Sequence, residues 1–284
     1  KLTDPKNVRI LINLIQGALY VHYRPVHFYN LAGLDWVELV SALVADVQKA
    51  VDVAHKYCAT PYNCSTSRYT EVLARVKKFV GEGRLGIFAN GYWGNKSYKF
   101  SPEENLVVLS HYLDVLDLQR DIAKMHAIFG GKSPHPQSIV VGGVTCVQDI
   151  QNPARITEYK SILNKARAFI KNAYIPDVLL AGTVYADEAL AGIGAGLGNF
   201  MSFGGFRLDD NPMYSGKMLF PSGIVLNKDL SKFYEFDQSK VTEDVTHSWY
   251  KGDANLHPFD GVTDPEFTGY KKGDDGFADR KSVV

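Results

Sequence analysis

The sequence predicts a mainly α-helical fold with some α+β character: a central bundle around one long helix, with short strands and loops in the C-terminal half. Three observations support this prediction. Apolar residues recur at helical spacing through the first half of the chain. A strong helix-start signal stands at Ser101. Beyond Gly192 the chain becomes rich in glycine, proline and aromatic residues, which is typical of short strands and loops.

The N-terminal segment predicts two amphipathic helices with a kink or break between them. Pro25 interrupts the pattern because it has no amide hydrogen to donate. The first apolar stripe comprises Ile10, Leu11, Leu14, Ile15, Ala18 and Leu19, and the second comprises Leu34, Val37, Val40 and Leu43.

The next predicted helix starts at a cap within Ser65–Ser67 and ends at Gly81 and Gly83. The letters from Gly81 to Gly86 match the G-x-G-x-x-G pattern of dinucleotide-binding proteins. That site needs a strand before the glycines and a helix start after them, so that backbone amides meet the pyrophosphate. Here a helix precedes them, and we interpret the pattern as a helix end followed by a turn.

The longest predicted helix runs from Ser101 to about Phe129 and stops at Gly130-Gly131. Ser101 can cap it, and Glu104 can reach back to complete a capping box. Three carboxylates share one face of this helix, at Asp114, Asp117 and Asp121. They could form an acid-base or metal stripe. The interleaved Arg120 and Lys124 favour a solvated face directed away from the core instead.

The C-terminal half predicts a short buried strand at 139–141 and a helix that opens at Pro153. Strands are expected at 200–206 and 218–226, and a last helix at 241–250. We divide the chain into a helical bundle at 1–137, a mixed part at 138–265 that packs on the bundle, and an irregular tail at 266–284.

Composition and charge exclude several function classes. The 284 residues carry 31 basic and 31 acidic side chains, so the formal net charge is +0 and no overall field attracts nucleic acid or anionic membranes. No apolar stretch is long enough to span a bilayer and no leader pattern opens the chain, so we expect a soluble protein. The absence of an initiating methionine indicates processing or a segment of a longer chain.

Three cysteines, Cys58, Cys64 and Cys146, match neither a disulfide framework nor a CxxC metal or redox pair. We interpret them as small buried residues or loop thiols. A short Cys58–Cys64 disulfide in an oxidising compartment remains the alternative.

The histidines do not assemble a metal site by spacing. His22 and His27 are five residues apart and lie on different faces of an ideal α-helix, so they cannot share a metal unless Pro25 bends the chain. His111 and His126 lie on the long helix without nearby cysteine or carboxylate partners in sequence. From the residues alone, no self-contained active site emerges.

Eight short strings, taken in order, resemble the large subunit of nickel-iron hydrogenases, especially the membrane-associated uptake group, over roughly Asn7 to Pro265. They are HFY at 27–29 with LDW at 34–36, GIF at 86–88 with NGYWG at 90–94, GGKSPHPQ at 130–137, VGGVT at 141–145, HSWY at 247–250 and HPFDG at 257–261.

The resemblance implies a reaction, the reversible oxidation of dihydrogen to protons and electrons at a nickel-iron centre with diatomic ligands. It also implies a small-subunit partner that carries iron-sulfur clusters, and a location on the periplasmic side of the membrane, with the cytoplasm as the second choice. By resemblance, His22, His27 and His135 lie near the centre without ligating it, and Leu31 lines the gas path.

The chain also departs from the family. Nickel is held there by cysteine pairs in Arg-x-Cys-Gly-x-Cys and Asp-Pro-Cys-x-x-Cys-x-x-His motifs, and neither motif occurs in this sequence. The family usually reads His-Asp-His-x-x-His-Phe-Tyr, and this chain has Tyr23 at the position of the aspartate. We therefore expect the central scaffold of such a subunit, with no catalytic, cofactor or metal residue of its own and no activity alone.

The alternative is a divergent, non-catalytic helical module that binds a protein partner or an assembly factor. A scaffold cut from a larger subunit should leave apolar faces uncovered, whereas an independent module should not. We expect such faces around Leu31–Leu34 and Val140–Val144.

Overall fold

The chain folds around a single long helix. The computed structural model describes residues 1–30, 37–86, 97–211, 216–244, 250, 255–261 and 264–265. The α-helices are α1 Pro5–Val21, α2 Leu39–Ala42, α3 Val47–Tyr57, α4 Thr66–Gly81, α5 Pro102–Gly130, α6 Val147–Ile150, α7 Pro153–Phe169, α8 Ile175–Val184 and α9 Ala186–Leu190. The strands are β1 Ile139–Val140, β2 Gly143–Val144, β3 Phe200–Arg207 and β4 Met218–Val225.

The long helix α5 confirms the prediction. The Ser101 hydroxyl accepts a hydrogen bond from the Glu104 amide at 3.2 Å, and the Glu104 carboxylate accepts one from the Ser101 amide at 2.8 Å. These two bonds form the predicted capping box. Every residue from Asn105 to His111 is buried, so this part of α5 is covered on all sides. Helices α1, α2, α3, α4 and α7 all pack against it.

The chain passes Pro25 without a break. Residues His22–Val26 form a π-helical turn directly after α1, and residues 27–30 are again helical. In a π-turn each amide bonds to the carbonyl five residues back. This shifted pattern lets the helix continue past a proline, which has no amide hydrogen to donate. The predicted break is therefore wrong, because a π-turn carries the helix past Pro25.

A second π-turn, Ile170–Tyr174, joins α7 to α8. The helix predicted from Pro153 is confirmed, with Asn152 capping it by accepting a hydrogen bond from the Ala154 amide at 3.0 Å. This helix continues through the π-turn into α8. Pro176 lies in the first turn of α8, where a missing amide hydrogen costs little.

The second apolar stripe predicted a longer helix than the structure contains. Only α2 is helical there; Val37 is buried, Val40 is exposed, and Leu34 lies outside the described residues. Helix α4 confirms the prediction from its Ser65 cap to Gly81, and Gly83 and Gly86 follow with positive φ, as a turn requires.

The strand predicted as buried near residue 140 lies at the surface. β1 and β2 form an antiparallel hairpin in which Ile139 pairs with Val144 and Val140 with Gly143. Val140 is half-exposed and Val141 is 96% exposed, whereas Val144 is fully buried and bridges to Leu2. The expected apolar exposure is confirmed at Val141 and wrong at Val144, and Leu31–Leu34 lie outside the described residues.

β3 and β4 form a two-stranded sheet and confirm the strands predicted at 200–206 and 218–226. The helix predicted at 241–250 is wrong over 241–244, where a short 3₁₀ helix Gln238–Lys240 ends and Glu243 bridges to Leu256. Residues 245–249 lie outside the described residues, as does the tail predicted as irregular at 266–284.

The chain divides into two compact units. The first comprises Lys1–Gly196 with Phe206–Leu219, and the second comprises Leu197–Gly205 with Phe220–Val284. Among the described residues, the first unit holds all the α-helices and the buried apolar core. Among the described residues, no helix combines the length and apolar character needed to cross a membrane.

Candidate functional site

The first π-turn brings His22 and His27 to the same aromatic side chain. The Tyr23 ring packs edge-on against both imidazoles, with ring centroids 5.3 Å from His22 and 5.1 Å from His27. The separation expected for two residues five apart on an α-helix does not apply, because a π-turn draws such residues towards one face. His22 is half-buried and His27 is exposed.

The π-turn also faces a histidine of α5. Burial lowers the pKa of His22, and the nearby His27 lowers it further. Burial likewise lowers the pKa of His126, and the proximity of His22 adds to this effect. His126 is 1% exposed, and neither of its ring nitrogens has a hydrogen-bond partner among the described residues. Both imidazoles are therefore neutral at neutral pH.

The resemblance also implies His135 and Leu31. His135 is exposed in the turn that follows α5, and Leu31 lies outside the described residues. The neighbouring Pro136 packs closely on Gly130, where an added Cβ would lie 3.3 Å from the proline Cβ and 3.6 Å from His126 Cε1.

The carboxylate stripe of α5 neither converges on an ion nor forms a uniformly solvated face. Asp114 is mostly buried and accepts hydrogen bonds from Arg68 at 2.7 Å and from the Asn63 amide at 3.2 Å. Asp121 pairs with Lys165 at 2.5 Å. Asp117 alone is well exposed. The predicted solvated face is confirmed for Asp117. Asp114 instead pairs with Arg68 of α4, and Asp121 pairs with Lys165 of α7.

Sequence reasoning missed a buried polar cluster made by Tyr29, His111 and Asp177. The Tyr29 hydroxyl donates to Asp177 Oδ2 at 2.7 Å, and His111 Nδ1 lies 2.7 Å from the same oxygen. All three residues are at most 2% exposed. Burial raises the pKa of the Tyr29 phenol well above its ordinary value, and the Asp177 charge adds to the rise. Asp177 lies 66 residues from His111 and 148 from Tyr29, so no local pattern indicates the cluster.

The described residues do not form a nickel ligand set. All three cysteines are free, as expected, and the alternative Cys58–Cys64 disulfide is absent. The Tyr69 hydroxyl donates to the Cys64 sulfur at 3.6 Å, which assigns that thiol a packing role. Within the described residues, no group of three histidine, cysteine or acidic side chains could hold a metal ion. The donor set therefore does not fit a nickel-iron centre, which needs soft thiolates.

Comparison with known proteins gives the family. Residues 1–282 match the family described as nickel-dependent hydrogenase. The chain is 40% identical over its whole length to the quinone-reactive Ni/Fe-hydrogenase large chain of Wolinella succinogenes, of which it covers 49%. It is 40% identical, over 95% of its length, to the hydrogenase-1 large chain of Escherichia coli K12, of which it covers 48%.

Solved structures agree with the sequence relatives. The Ni-Fe-Se hydrogenase of D. vulgaris Hildenborough matches 93% of this chain with a TM-score of 0.66 and 27% identity, and 44% of that chain is covered. The chain thus spans about half the length of the relatives it matches. The family match over almost every residue and the shared fold lead to one conclusion: the chain belongs to the nickel-dependent hydrogenase family.

Proposed function

We propose that this chain is the central scaffold of a nickel-iron hydrogenase large subunit. The observation that carries the proposal is coverage: all of the chain aligns, yet only 49% of the Wolinella large chain is covered. In the intact heterodimer, the subunit would take part in the reversible oxidation of dihydrogen to protons and electrons. The chain alone would be inactive.

The proposed metal centre belongs to the intact subunit. It is a nickel-iron centre with diatomic ligands, and its cysteine ligands would come from sequence outside the region present here. Two findings support this: the family is nickel-dependent, and the described residues lack a ligand set. His22, His27 and His135 would lie near the centre without binding it, and Leu31 would line the gas path. The π-turn that carries His22 supports this placement because such turns are frequent at functional sites.

The proposed partner is a small subunit with iron-sulfur clusters, and the proposed location is the periplasmic side of the membrane within a complex. The matched relatives carry the names large chain and large subunit, which imply a smaller companion. Their quinone-reactive and uptake names support membrane association.

Metal content and flanking sequence test the proposal. The purified 284-residue chain, desalted after incubation with nickel, should hold no stoichiometric nickel by elemental analysis. The coding sequence on its two sides should contain the Arg-x-Cys-Gly-x-Cys and Asp-Pro-Cys-x-x-Cys-x-x-His motifs. Stoichiometric nickel on the chain, or a gene without either motif, would contradict the scaffold role.

A further inference from the structure

One buried carboxylate joins three helical segments of the first unit. Asp177 lies in the first turn of α8, directly after the second π-turn. Its Oδ2 accepts from Tyr29, which lies in the helical residues after the first π-turn, and faces His111 of α5. Both distances are 2.7 Å. The helical segments that follow the two π-turns therefore meet at a single oxygen atom.

The partners of His111 determine its protonation. Nδ1 faces the Asp177 carboxylate at 2.7 Å, and Nε2 faces the Tyr62 carbonyl oxygen at 3.3 Å. Carboxylates and carbonyls only accept hydrogen bonds, so a neutral imidazole would leave one bare nitrogen lone pair against an acceptor. An imidazolium donates at both nitrogens and satisfies both contacts. With the Asp177 side chain acting as acceptor for both Tyr29 and His111, the geometry assigns a proton to each ring nitrogen of His111.

The surrounding charges agree with this assignment. Burial would lower the pKa of His111, but Asp177, the more distant Asp114 and the Tyr62 carbonyl together raise it above its ordinary value of 6.5. The group facing the pair from the first π-turn side is the Tyr29 hydroxyl, which remains protonated. Asp114 on the same helix is itself neutralised by Arg68 of α4. The pair therefore has no competing cation among these contacts.

The aromatic packing around Tyr29 is apolar and does not by itself define one orientation. The Tyr29 ring packs edge-on against Phe169 at 5.5 Å, and Phe28 packs against Tyr174 at 5.2 Å. Apolar contacts of this kind are non-directional compared with hydrogen bonds to a charged group. The bond from the Tyr29 hydroxyl to Asp177 is directional, and it joins the helical segment that carries His22 and His27 to α8.

We propose that Asp177 is a positioning residue that, paired with a buried imidazolium at His111, holds Tyr29 and thereby sets where His22 and His27 lie. The role of those two histidines near a metal centre rests on the proposed function, but the positioning itself does not. A carboxylate is required at position 177 because only an anion balances the buried imidazolium while accepting the tyrosine hydroxyl.

Histidine resonances of the full chain test this directly, recorded at a concentration at which light scattering shows a monomer. The chain has eight histidines, few enough to follow each C2 proton by NMR as pH changes. In the unaltered chain His111 should titrate above 6.5. Asp177→Asn removes the charge and leaves Tyr29 a weaker, neutral acceptor, so the His111 midpoint should fall below 6.5, and the signals of His22 and His27 should shift. Asp177→Glu should keep the high midpoint.

Two further variants separate positioning from general destabilisation. Tyr29→Phe removes only the hydroxyl, so His111 should keep its high midpoint while His22 and His27 shift. Asp121→Asn, which breaks the Lys165 pair on the same helix as His111, is the matched control and should leave all three histidines unchanged. The histidine signals of Tyr29→Phe and Asp121→Asn still test the inference if Asp177→Asn does not fold.

Two results would overturn the inference: a His111 midpoint at or below 6.5 in the unaltered chain, or unchanged His22 and His27 signals in Tyr29→Phe. Neither depends on hydrogenase activity. A chain that carries nickel by itself would remove the proposed function and leave the positioning role intact. A chain without nickel that gives either of the two overturning NMR results would retain the proposed function and remove the role of Asp177.

Discussion

At the scale of single residues, two carboxylates on one face of α5 differ widely in exposure and in their partners. Asp114 and Asp117 are three residues apart on one helix, yet Asp114 is 11% exposed and paired with Arg68, whereas Asp117 is 72% exposed. Burial raises the cost of losing a charged partner, because the remaining charge is left without solvent. The two residues therefore form a natural test pair.

We expect Asp114→Ala to lower the free energy of unfolding by about 1.5–3 kcal/mol, since Arg68 Nη2 loses its buried acceptor while Nη1 keeps only the exposed Glu71. Asp117→Ala should change it by about 0.5 kcal/mol or less. Both substitutions introduce the same helix propensity, so the difference reports the environment. Urea unfolding of both variants measures it, and equal losses would show that the Arg68–Asp114 pair does not stabilise the fold.

The titrating histidines predict a stability maximum near pH 6.5. His22 and His126 have lowered pKa values in the fold, so the unfolded chain binds protons first and stability falls as the pH drops below 6.5. His111 has a raised pKa, so its contribution is present below 6.5 and is lost as the pH rises through its folded value.

A substitution at His126 isolates the acid side of that curve. His126→Leu removes one group that must take up a proton on unfolding, so the loss of stability below pH 6.5 should become shallower. The alkaline side should keep its slope because His111 is unchanged. Urea midpoints measured on both sides of 6.5 test this, and an unaltered acid slope would show that His126 is not held neutral in the fold.

The residue scale also shows where sequence reasoning stops. Asp177 after Pro176 resembles any acidic residue that favours a helix N-terminus. Its role depends on partners that only the folded chain brings near. His111 was interpreted as an ordinary histidine without a carboxylate partner, because its partner lies on α8.

At the scale of elements, two glycines differ in the space around them: Gly143 is crowded by a neighbouring backbone and Gly182 is not. An added Cβ at Gly143 would lie 2.1 Å from the Leu2 carbonyl oxygen, so only glycine allows the bridge that pairs Leu2 with Val144. Gly182 in α8 has open space around its Cβ position. The same substitution should therefore have opposite effects at the two positions.

We expect Gly143→Ala to break the hydrogen bonds between Leu2 and Val144 and to speed amide exchange at both residues. Gly182→Ala should instead stabilise the protein by about 0.5–1 kcal/mol, because alanine has the higher helix propensity. Hydrogen exchange and urea unfolding distinguish the two. Retained protection at Val144 in Gly143→Ala would show that the hairpin does not need the close approach.

Elements with strong local signals were predictable and the others were not. Helix α5 has a capping box, and β3 and β4 lie in the glycine- and aromatic-rich region where strands were expected. All three confirm the prediction. Helix α3 was not predicted, because its buried residues are only Ala50 and Ala54, which give a weak apolar pattern despite the Asp46 cap. The two π-turns have no sequence signature beyond a nearby proline, so a kink or break was expected at Pro25, where the helix continues.

At the scale of the whole molecule, apolar surface remains uncovered. Ile175, Val178 and Leu179 form a stripe on α8 and are 49%, 39% and 54% exposed, and Leu190 and Ile193 follow nearby in sequence with still greater exposure. Contiguous apolar patches of this kind are rare on monomeric proteins and are typical of interaction surfaces. The scaffold account explains them as faces that the rest of a larger subunit covers.

We therefore expect the isolated chain to self-associate and to bind a hydrophobic dye. Leu179→Lys should reduce both, since it places a charge in the middle of the α8 stripe, whereas Glu158→Lys on α7 should not, because Glu158 is already polar and half-exposed. Light scattering and dye fluorescence measure the effect. A soluble, cooperatively unfolding monomer without dye binding would favour an independent module.

The central claim, that this chain is the scaffold of a hydrogenase large subunit, is tested most directly by exchange. The region of the Escherichia coli hydrogenase-1 large chain that matches this chain would be replaced by residues 1–284 and produced with its small subunit. The account predicts that the hybrid assembles, acquires nickel and oxidises dihydrogen. A second hybrid with Tyr23→Asp restores the family aspartate and separates that departure from the scaffold. Failure of both hybrids to acquire nickel, while a hybrid built from another matched relative succeeds, would contradict the account.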